Sequence, residues 1–144
     1  DLVKIINSLW PKRKKNKFVV FTGGEPILQL DSNLIKKIKS HGFRVAVETN
    51  GTKPIPEGLD WICVSPKPRS TLVVDSASEL KLVYPQLESE MAPENFASFN
   101  ALYRYLQPLD NMYQERNTKL AKEYCLMHPD WKVSIQTHKI LGIP

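Results

Sequence analysis

The chain has 144 residues, the length of one ordinary domain, and its 42% hydrophobic content excludes a disordered polypeptide. Its two cysteines, Cys63 and Cys125, lie far apart, which excludes a disulfide scaffold and any metal site made from a local cysteine motif. The net charge of +5 comes from residues 12–17, which hold five of the 20 basic residues and leave 15 basic and 15 acidic residues elsewhere. Such a run is typical of a solvated loop, and RNA binding is the minority interpretation because no aromatic residue interleaves the charges.

No apolar stretch approaches the ~20 residues that cross a bilayer. Residues 1–10 form a short amphipathic pattern without the small-residue cleavage site of a secretory signal. We therefore expect a cytoplasmic protein in a reducing compartment, with no membrane partner and no direct nucleic-acid partner.

The first third of the chain predicts two helices separated by a strand. Apolar residues recur at helical spacing over residues 2–10. Residues 18–21 predict a buried strand that ends in a tight Gly-Gly turn. A second helix follows, which Asp31 or Ser32 caps and Gly42 ends.

The rest of the chain continues as strands with short connections. A polar stretch over residues 88–100 predicts a loop with one short helical turn, and residues 112–128 predict a long helix. Strands joined by short crossovers are parallel, so the pattern predicts an α/β fold. The further predicted strands are residues 44–48, 60–64, 80–84, 102–106 and 131–136.

Ligands of α/β folds bind outside the carboxyl ends of parallel strands. Four predicted strands end in small, polar or turn-prone residues, which we expect to meet at one edge of the sheet. These endings are Thr22-Gly23-Gly24-Glu25-Pro26, Glu48-Thr49-Asn50-Gly51-Thr52, Ser65-Pro66-Lys67 and Gln107-Pro108-Leu109-Asp110.

Each ending has a structural and a ligand-binding interpretation. Gly23-Gly24 lets a backbone approach a ligand closely, and Glu25 offers a carboxylate to an ammonium group, but a plain turn has the same residues. Glu48 and Asn50 point the same way from a strand end, and a capped turn with Asn50 in the left-handed region is an equal alternative.

The remaining polar candidates also have two interpretations. Lys67 suits a phosphate, carboxylate or ribose contact, or it is a solvated lysine. Gln107 and Asp110 suit a base edge or ribose hydroxyls, or they form a turn before a helix. We interpret His41 and His128 as structural residues near helix ends, and the two cysteines as buried thiols.

Several motifs taken together resemble those of the 7-carboxy-7-deazaguanine synthase family, from about residue 18 to residue 144. Gly-Gly-Glu-Pro alone indicates only the wider radical S-adenosylmethionine superfamily, and the later motifs narrow the resemblance. In chain order these are Thr-Gly-Gly-Glu-Pro, Glu-Thr-Asn-Gly-Thr, Val-Ser-Pro-Lys, Glu-Leu-Lys-Leu-Val-Tyr, Leu-Gln-Pro-Leu-Asp and the tail Ile-Gln-Thr-His-Lys-Ile-Leu-Gly-Ile-Pro.

The resemblance implies an incomplete α/β barrel of mostly parallel strands with crossover helices, assembled as a homodimer. It implies a carbon-nitrogen lyase that converts 6-carboxy-5,6,7,8-tetrahydropterin to 7-carboxy-7-deazaguanine with loss of ammonia, in the queuosine precursor pathway. The family's cofactors are S-adenosylmethionine, a 4Fe-4S cluster and Mg²⁺, and an external reductant such as flavodoxin or ferredoxin serves the cluster.

The resemblance also implies site residues, position by position. Thr22 and the terminal Pro144 are expected to contact the pterin substrate. It places no catalytic residue and no metal ligand in this chain. The residues expected to contact S-adenosylmethionine are Gly24, Ser65, Pro66, Lys67, Gln107, Pro108, Leu109 and Asp110.

The sequence departs from the family at its start. The family's three-cysteine cluster motif, the Thr that binds Mg²⁺ and the Gly-rich substrate loop have no counterpart in these 144 residues. We therefore expect residues 1–144 to be a single truncated barrel domain, the C-terminal portion of such a synthase, inactive alone. The alternative is a cluster-less binding or dimerisation module derived from the family, and an activase of a glycyl-radical enzyme fits less well.

Overall fold

The computed structural model describes residues 2–11, 13–137 and 141–142. Within them, short 3-10 turns accompany three α-helices and six strands. The helices are α1 (Leu2–Leu9), α2 (Ser32–Lys39) and α3 (Gln114–Met127), and the strands are β1 (Phe18–Phe21), β2 (Arg44–Thr49), β3 (Trp61–Val64), β4 (Ser76–Tyr84), β5 (Asn100–Pro108) and β6 (Trp131–Val133).

The six strands form one sheet in the order β1-β2-β3-β4-β5-β6, and every neighbouring pair is parallel. Each strand therefore lies beside the next one in the sequence, so all carboxyl ends meet at one edge. The predicted α/β fold with parallel strands and crossover connections is confirmed.

The helices cover one face of the sheet through two apolar clusters. Buried side chains of α1 and α2 pack with Val45 and Val47 of β2. Ala121 and Tyr124 of α3 pack with Leu82 and Leu106 of β4 and β5. Because side chains alternate along a strand, the other residues of each strand project from the opposite face, here called the open face.

Local signals account for the start and end of α2. The Asp31 carboxylate accepts a hydrogen bond from the Leu34 amide at 2.7 Å, which confirms Asp31 as the cap. Gly42 has φ +81° just after the helix, a conformation that glycine adopts without strain. Between them, Ile35 and Ile38 are fully buried.

Several strand boundaries differ from the sequence predictions. Strand β1 is not buried as predicted. Phe18 and Val20 project from the open face of this edge strand, and 39% and 45% of their surface is exposed to solvent. Strands β4 and β5 begin earlier than expected, since they pair from Ser76 and Asn100 onward despite their polar residues. Strand β6 ends at Val133 rather than at residue 136.

The polar stretch before β5 contains two short helical turns rather than one, Ser89–Met91 and Pro93–Phe96. Met91 and Phe99 of this region are buried in the cluster beneath α3. The polar composition therefore concealed a segment that contributes to the core.

Gly51 lies just after β2 at φ +74°, in close contact with the core. A methyl group there would lie 2.5 Å from Leu72 Cδ1 and 3.0 Å from Val64 Cγ1. Gly42 is a matched control, since it also has positive φ but a methyl group on it would have no atom within 4 Å.

We expect Gly51→Ala to lower the free energy of unfolding by about 1–3 kcal/mol more than Gly42→Ala, because both add backbone strain and only the first adds overpacking. Urea unfolding of the two variants measures this difference. Equal losses would show that Leu72 and Val64 move aside without cost.

Candidate ligand-binding site at the strand ends

The predicted strand endings meet at the carboxyl edge of the sheet. The register pairs Phe21 with Val47 and Thr49 with Val64, so the loops after β1, β2 and β3 begin side by side. The loop after β5 lies beside the end of β4, where Leu109 donates its amide hydrogen to the Tyr84 carbonyl at 2.8 Å. The sequence therefore placed these four segments correctly.

The Glu25 carboxylate joins the first two loops. One oxygen accepts hydrogen bonds from the Thr49 hydroxyl at 2.7 Å and the Ile27 amide at 3.1 Å, and the other accepts from the Asn50 amide at 2.8 Å. These three donors give the carboxylate a structural role, which favours the turn interpretation of this segment. The preceding Gly23-Gly24 backbone is thereby fixed in place.

Gly23 and Gly24 leave open space above their backbone. Gly23 has φ +123°, and no atom lies within 4 Å of the position that a Cβ would occupy on either glycine. Both residues are exposed. A ligand can therefore approach the backbone amides and carbonyls of this loop directly.

The loop after β2 is a side-chain-capped turn. The Asn50 carboxamide oxygen accepts hydrogen bonds from the Thr52 amide at 2.9 Å and the Thr52 hydroxyl at 2.7 Å. The left-handed position of this turn is Gly51 rather than Asn50, which corrects the sequence expectation. The structure thus favours the turn interpretation for Asn50.

Lys67 is an exposed residue of the loop after β3, and its side chain folds back onto Ser65. Its ammonium donates a hydrogen bond to the Ser65 hydroxyl at 3.0 Å, and Pro66 between them is buried. Desolvation and the nearby positive charge of Lys81 lower the pKa of Lys67, against the opposing effect of Cys63, Glu48 and Glu25. The Lys67 ammonium is therefore placed toward the site.

Asn117 of α3 fixes the loop after β5, although it was not among the residues expected from the sequence. Its amide nitrogen donates hydrogen bonds to the Leu109 carbonyl at 2.8 Å and to Asn111 Oδ1 at 2.9 Å. The side chain is buried in the first turn of the helix. A polar residue on the apolar face of the predicted helix was the available signal.

A polar cavity of about 460 Å³ opens on the open face below these loops. Of the candidates from the sequence, Glu48 and Gln107 line it. Glu79 and Lys81, which were not expected from the sequence, also line it, and the alternation Glu79-Leu80-Lys81-Leu82 was the signal for them. The lining residues are Glu48, Glu79, Lys81, Tyr105, Gln107, Ser134, Ile135, Gln136 and Thr137.

The charged side chains of this cavity each have an ion-pair or hydrogen-bond partner. Lys81 Nζ lies 3.2 Å from Glu48 Oε2, and the Trp61 indole donates a hydrogen bond to Glu79 Oε1 at 2.7 Å. Next to it, a cavity of about 340 Å³ is lined mainly by apolar and aromatic residues, among them Phe18 and Trp61. The open face thus offers paired polar groups beside an apolar surface, as small-molecule sites do.

The expected substrate contacts lie apart from the polar cavity or outside the described residues. Thr22 is exposed directly after β1 and lines a separate cavity of about 240 Å³ with Leu2 and Pro26. Pro144 lies outside the described residues.

The two cysteines do not fit an iron–sulfur cluster. Cys63 projects from the open face of β3. Cys125 packs against the apolar side chains beneath α3, on the other side of the sheet. Burial raises the pKa of Cys63 to about 12 and also raises that of Cys125, whereas a cluster needs thiolates. No group of three His, Cys, Asp or Glu side chains suited to a metal occurs within residues 2–11, 13–137 and 141–142.

The fold has a counterpart among solved structures. The crystal structure of QueE from Escherichia coli matches with a TM-score of 0.69 and 24% identity, covering 94% of this chain and 62% of that one. The shared fold is an α/β fold in which one parallel sheet carries helices on one face and loops at its carboxyl edge. In the described part of the chain, no helix has the length and apolar character needed to span a membrane.

The curated relatives give the family. The chain is 49% identical over 143 residues to the 7-carboxy-7-deazaguanine synthase of Bordetella pertussis, covering 99% of this chain and 67% of that protein. It is 49% identical over 144 residues to that of Caulobacter vibrioides, covering 100% and 68%. No family model matches the chain. The chain belongs to the 7-carboxy-7-deazaguanine synthase family and spans about two thirds of these relatives.

We expect Glu25→Ala to lower the free energy of unfolding by about 1–3 kcal/mol, because the Asn50 amide and the buried Thr49 hydroxyl lose a charged acceptor. Glu25→Gln should lose less stability, since the carboxamide oxygen of glutamine can still accept a hydrogen bond on one side. Denaturant unfolding of both variants is the measurement. Wild-type stability in Glu25→Ala would contradict the structural role of this carboxylate.

Proposed function

We propose that this chain binds S-adenosylmethionine and the pterin in a radical synthase that makes 7-carboxy-7-deazaguanine. The substrate would be 6-carboxy-5,6,7,8-tetrahydropterin, and the reaction is a ring contraction with loss of ammonia. The observation that carries the proposal is the meeting of four strand-end loops above the polar cavity of the open face. The names of the curated relatives support the reaction.

The loops suit the functional groups of S-adenosylmethionine. The exposed backbone carbonyl at Gly24 can accept a hydrogen bond from an amino group, and the backbone amide can donate one to a carboxylate. The Lys67 ammonium, which bonds to Ser65, suits an oxygen-rich group. The segment Gln107-Pro108-Leu109-Asp110 offers an amide and a carboxylate for the adenosine part, with its backbone fixed by Asn117. In the complete synthase, one electron from the reduced cluster would cleave bound S-adenosylmethionine to methionine and a deoxyadenosyl radical, which would supply the hydrogen-abstracting chemistry.

The polar cavity suits a pterin. Pterins carry amide and amino groups along one edge, and the Glu48 and Glu79 carboxylates and the Tyr105 hydroxyl offer acceptors and donors in the cavity. The aromatic ring of Trp61 beside the cavity provides a flat surface for the heterocycle. Thr22 and Pro144 remain the further proposed substrate contacts.

The ligands of the 4Fe-4S cluster and of Mg²⁺ would come from a region outside these 144 residues. The chain covers only about two thirds of the relatives, which supports this view. We therefore propose that the chain is the C-terminal portion of the synthase and has no turnover by itself. Its partners would be a second copy in a homodimer and a reductant such as flavodoxin or ferredoxin.

A cluster-less binding or dimerisation module is the second candidate. The placement of Cys63 and Cys125 on opposite faces of the sheet supports it, and fits the synthase equally, since the cluster ligands of the synthase would lie outside these residues. Both candidates bind the small molecules, but only the synthase turns over when the missing cluster region is supplied as a separate polypeptide. Ammonia release in that reconstituted mixture would exclude the second candidate.

We expect the chain to bind S-adenosylmethionine and Lys67→Met to weaken that binding about 10-fold, because a charge-assisted hydrogen bond contributes ~1.5 kcal/mol or more. Calorimetry measures both affinities. Lys53→Met, at an exposed position of the loop after β2, is the control and should bind as the wild type does. Equal affinities for all three proteins would contradict the placement of the cofactor beside Lys67.

A further inference from the structure

Lys81 is the least exposed ammonium for which the structure gives an ion pair. Only 18% of the Lys81 side chain is exposed to solvent, whereas 43% of the side chain of its partner Glu48 is exposed. The pair is therefore asymmetric: the Lys81 side chain is mostly buried, whereas more of the Glu48 side chain is open, and both residues line the polar cavity.

The pair spans a full strand. Glu48 lies on β2 and Lys81 on β4, and the register pairs Glu48 with Cys63 and Cys63 with Glu79, two residues before Lys81. Strands lie about 4.8 Å apart, so β2 and β4 are roughly 10 Å apart. Lys81 reaches Glu48 by crossing over β3 near its carboxyl end, where the open face carries the small side chains of Cys63 and Ser65.

The surroundings of Lys81 keep it charged. Burial favours its neutral form, but Cys63 and the carboxylates of Glu48 and Glu79 outweigh that effect and raise the pKa of Lys81. Two other lysines have different partners: Lys67, whose charge also interacts with Glu48, donates a hydrogen bond to Ser65, and the Lys132 ammonium lies 5.2 Å from the ring centre of Tyr103. Lys81 is thus the cation directed at Glu48.

We propose that Lys81 is a positioning residue, which reaches across β3 and presents the Glu48 carboxylate to the pterin in the polar cavity. This inference rests on the proposed function, since it takes the pterin as the ligand of the cavity. It assigns no contact between Lys81 and the pterin itself. Glu48 touches the ligand, and Lys81 fixes where that carboxylate lies.

The first test needs no ligand. The Lys81 side chain, observed by NMR in the chain labelled with ¹³C-lysine, is titrated in the wild type, Glu48→Gln and Glu123→Gln. Glu123 pairs with Lys119 on the surface of α3 and serves as the control. We expect the pKa of Lys81 to fall in Glu48→Gln and to stay unchanged in Glu123→Gln. An unchanged value in both variants would overturn the proposal.

The second test is a double-mutant cycle on pterin affinity, measured anaerobically by calorimetry with 6-carboxy-5,6,7,8-tetrahydropterin. We expect Lys81→Met to weaken binding about 10-fold, Lys81→Arg to recover most of the loss, and Lys132→Met to bind nearly as the wild type does. Adding Lys81→Met to Glu48→Gln should cause no further loss, because Lys81 acts through Glu48.

Three results would overturn the positioning role: wild-type affinity in Lys81→Met, wild-type affinity in Glu48→Gln, or losses that multiply in the double variant. Multiplied losses would mean that Lys81 contacts the pterin itself. Circular dichroism confirms that each variant is folded. A wild-type chain that binds no pterin would contradict the proposed function and the role of Lys81 together, whereas binding without any effect of Lys81 would contradict only the latter.

Discussion

The Glu25 carboxylate connects the first two strand-end loops, and the geometry of the candidate site depends on it. Its three hydrogen bonds hold the turn after Gly24 against the end of β2. The backbone of the two glycines is left open because the neighbouring carboxylate, rather than the glycines themselves, fixes the path of the chain. A flexible Gly-Gly segment thereby becomes a defined surface without losing access to solvent.

The two faces of the sheet differ in the residues that they carry. On the helix side, apolar residues such as Leu82 and Leu106 build the core. On the open face, charged residues lie near the carboxyl end of β2 and in the middle of β4, where a parallel sheet is ordinarily apolar on both sides. Their charges are tolerated because Lys81 pairs with Glu48 and Trp61 bonds to Glu79. Small side chains near the end of β3 make the first of these pairings possible.

The sequence predicted the elements well where a local signal exists, as at the Asp31 cap of α2 and the apolar run of β1. It also placed the four strand endings, because parallel order follows from short crossovers. It missed the early starts of β4 and β5, since pairing rather than apolar residues extends them. It also missed the contact between Lys81 and Glu48, because a pair that crosses an intervening strand depends on register and leaves no spacing pattern.

We propose that the loops after β1, β3 and β5 form one surface for S-adenosylmethionine. An NMR titration of the isotopically labelled chain with S-adenosylmethionine maps which backbone amides shift on binding. We expect saturable shifts concentrated at Gly24, Lys67 and Gln107, with little change in the basic loop around residues 13–17. Shifts confined to that loop, or no saturable shifts at the strand ends, would contradict it.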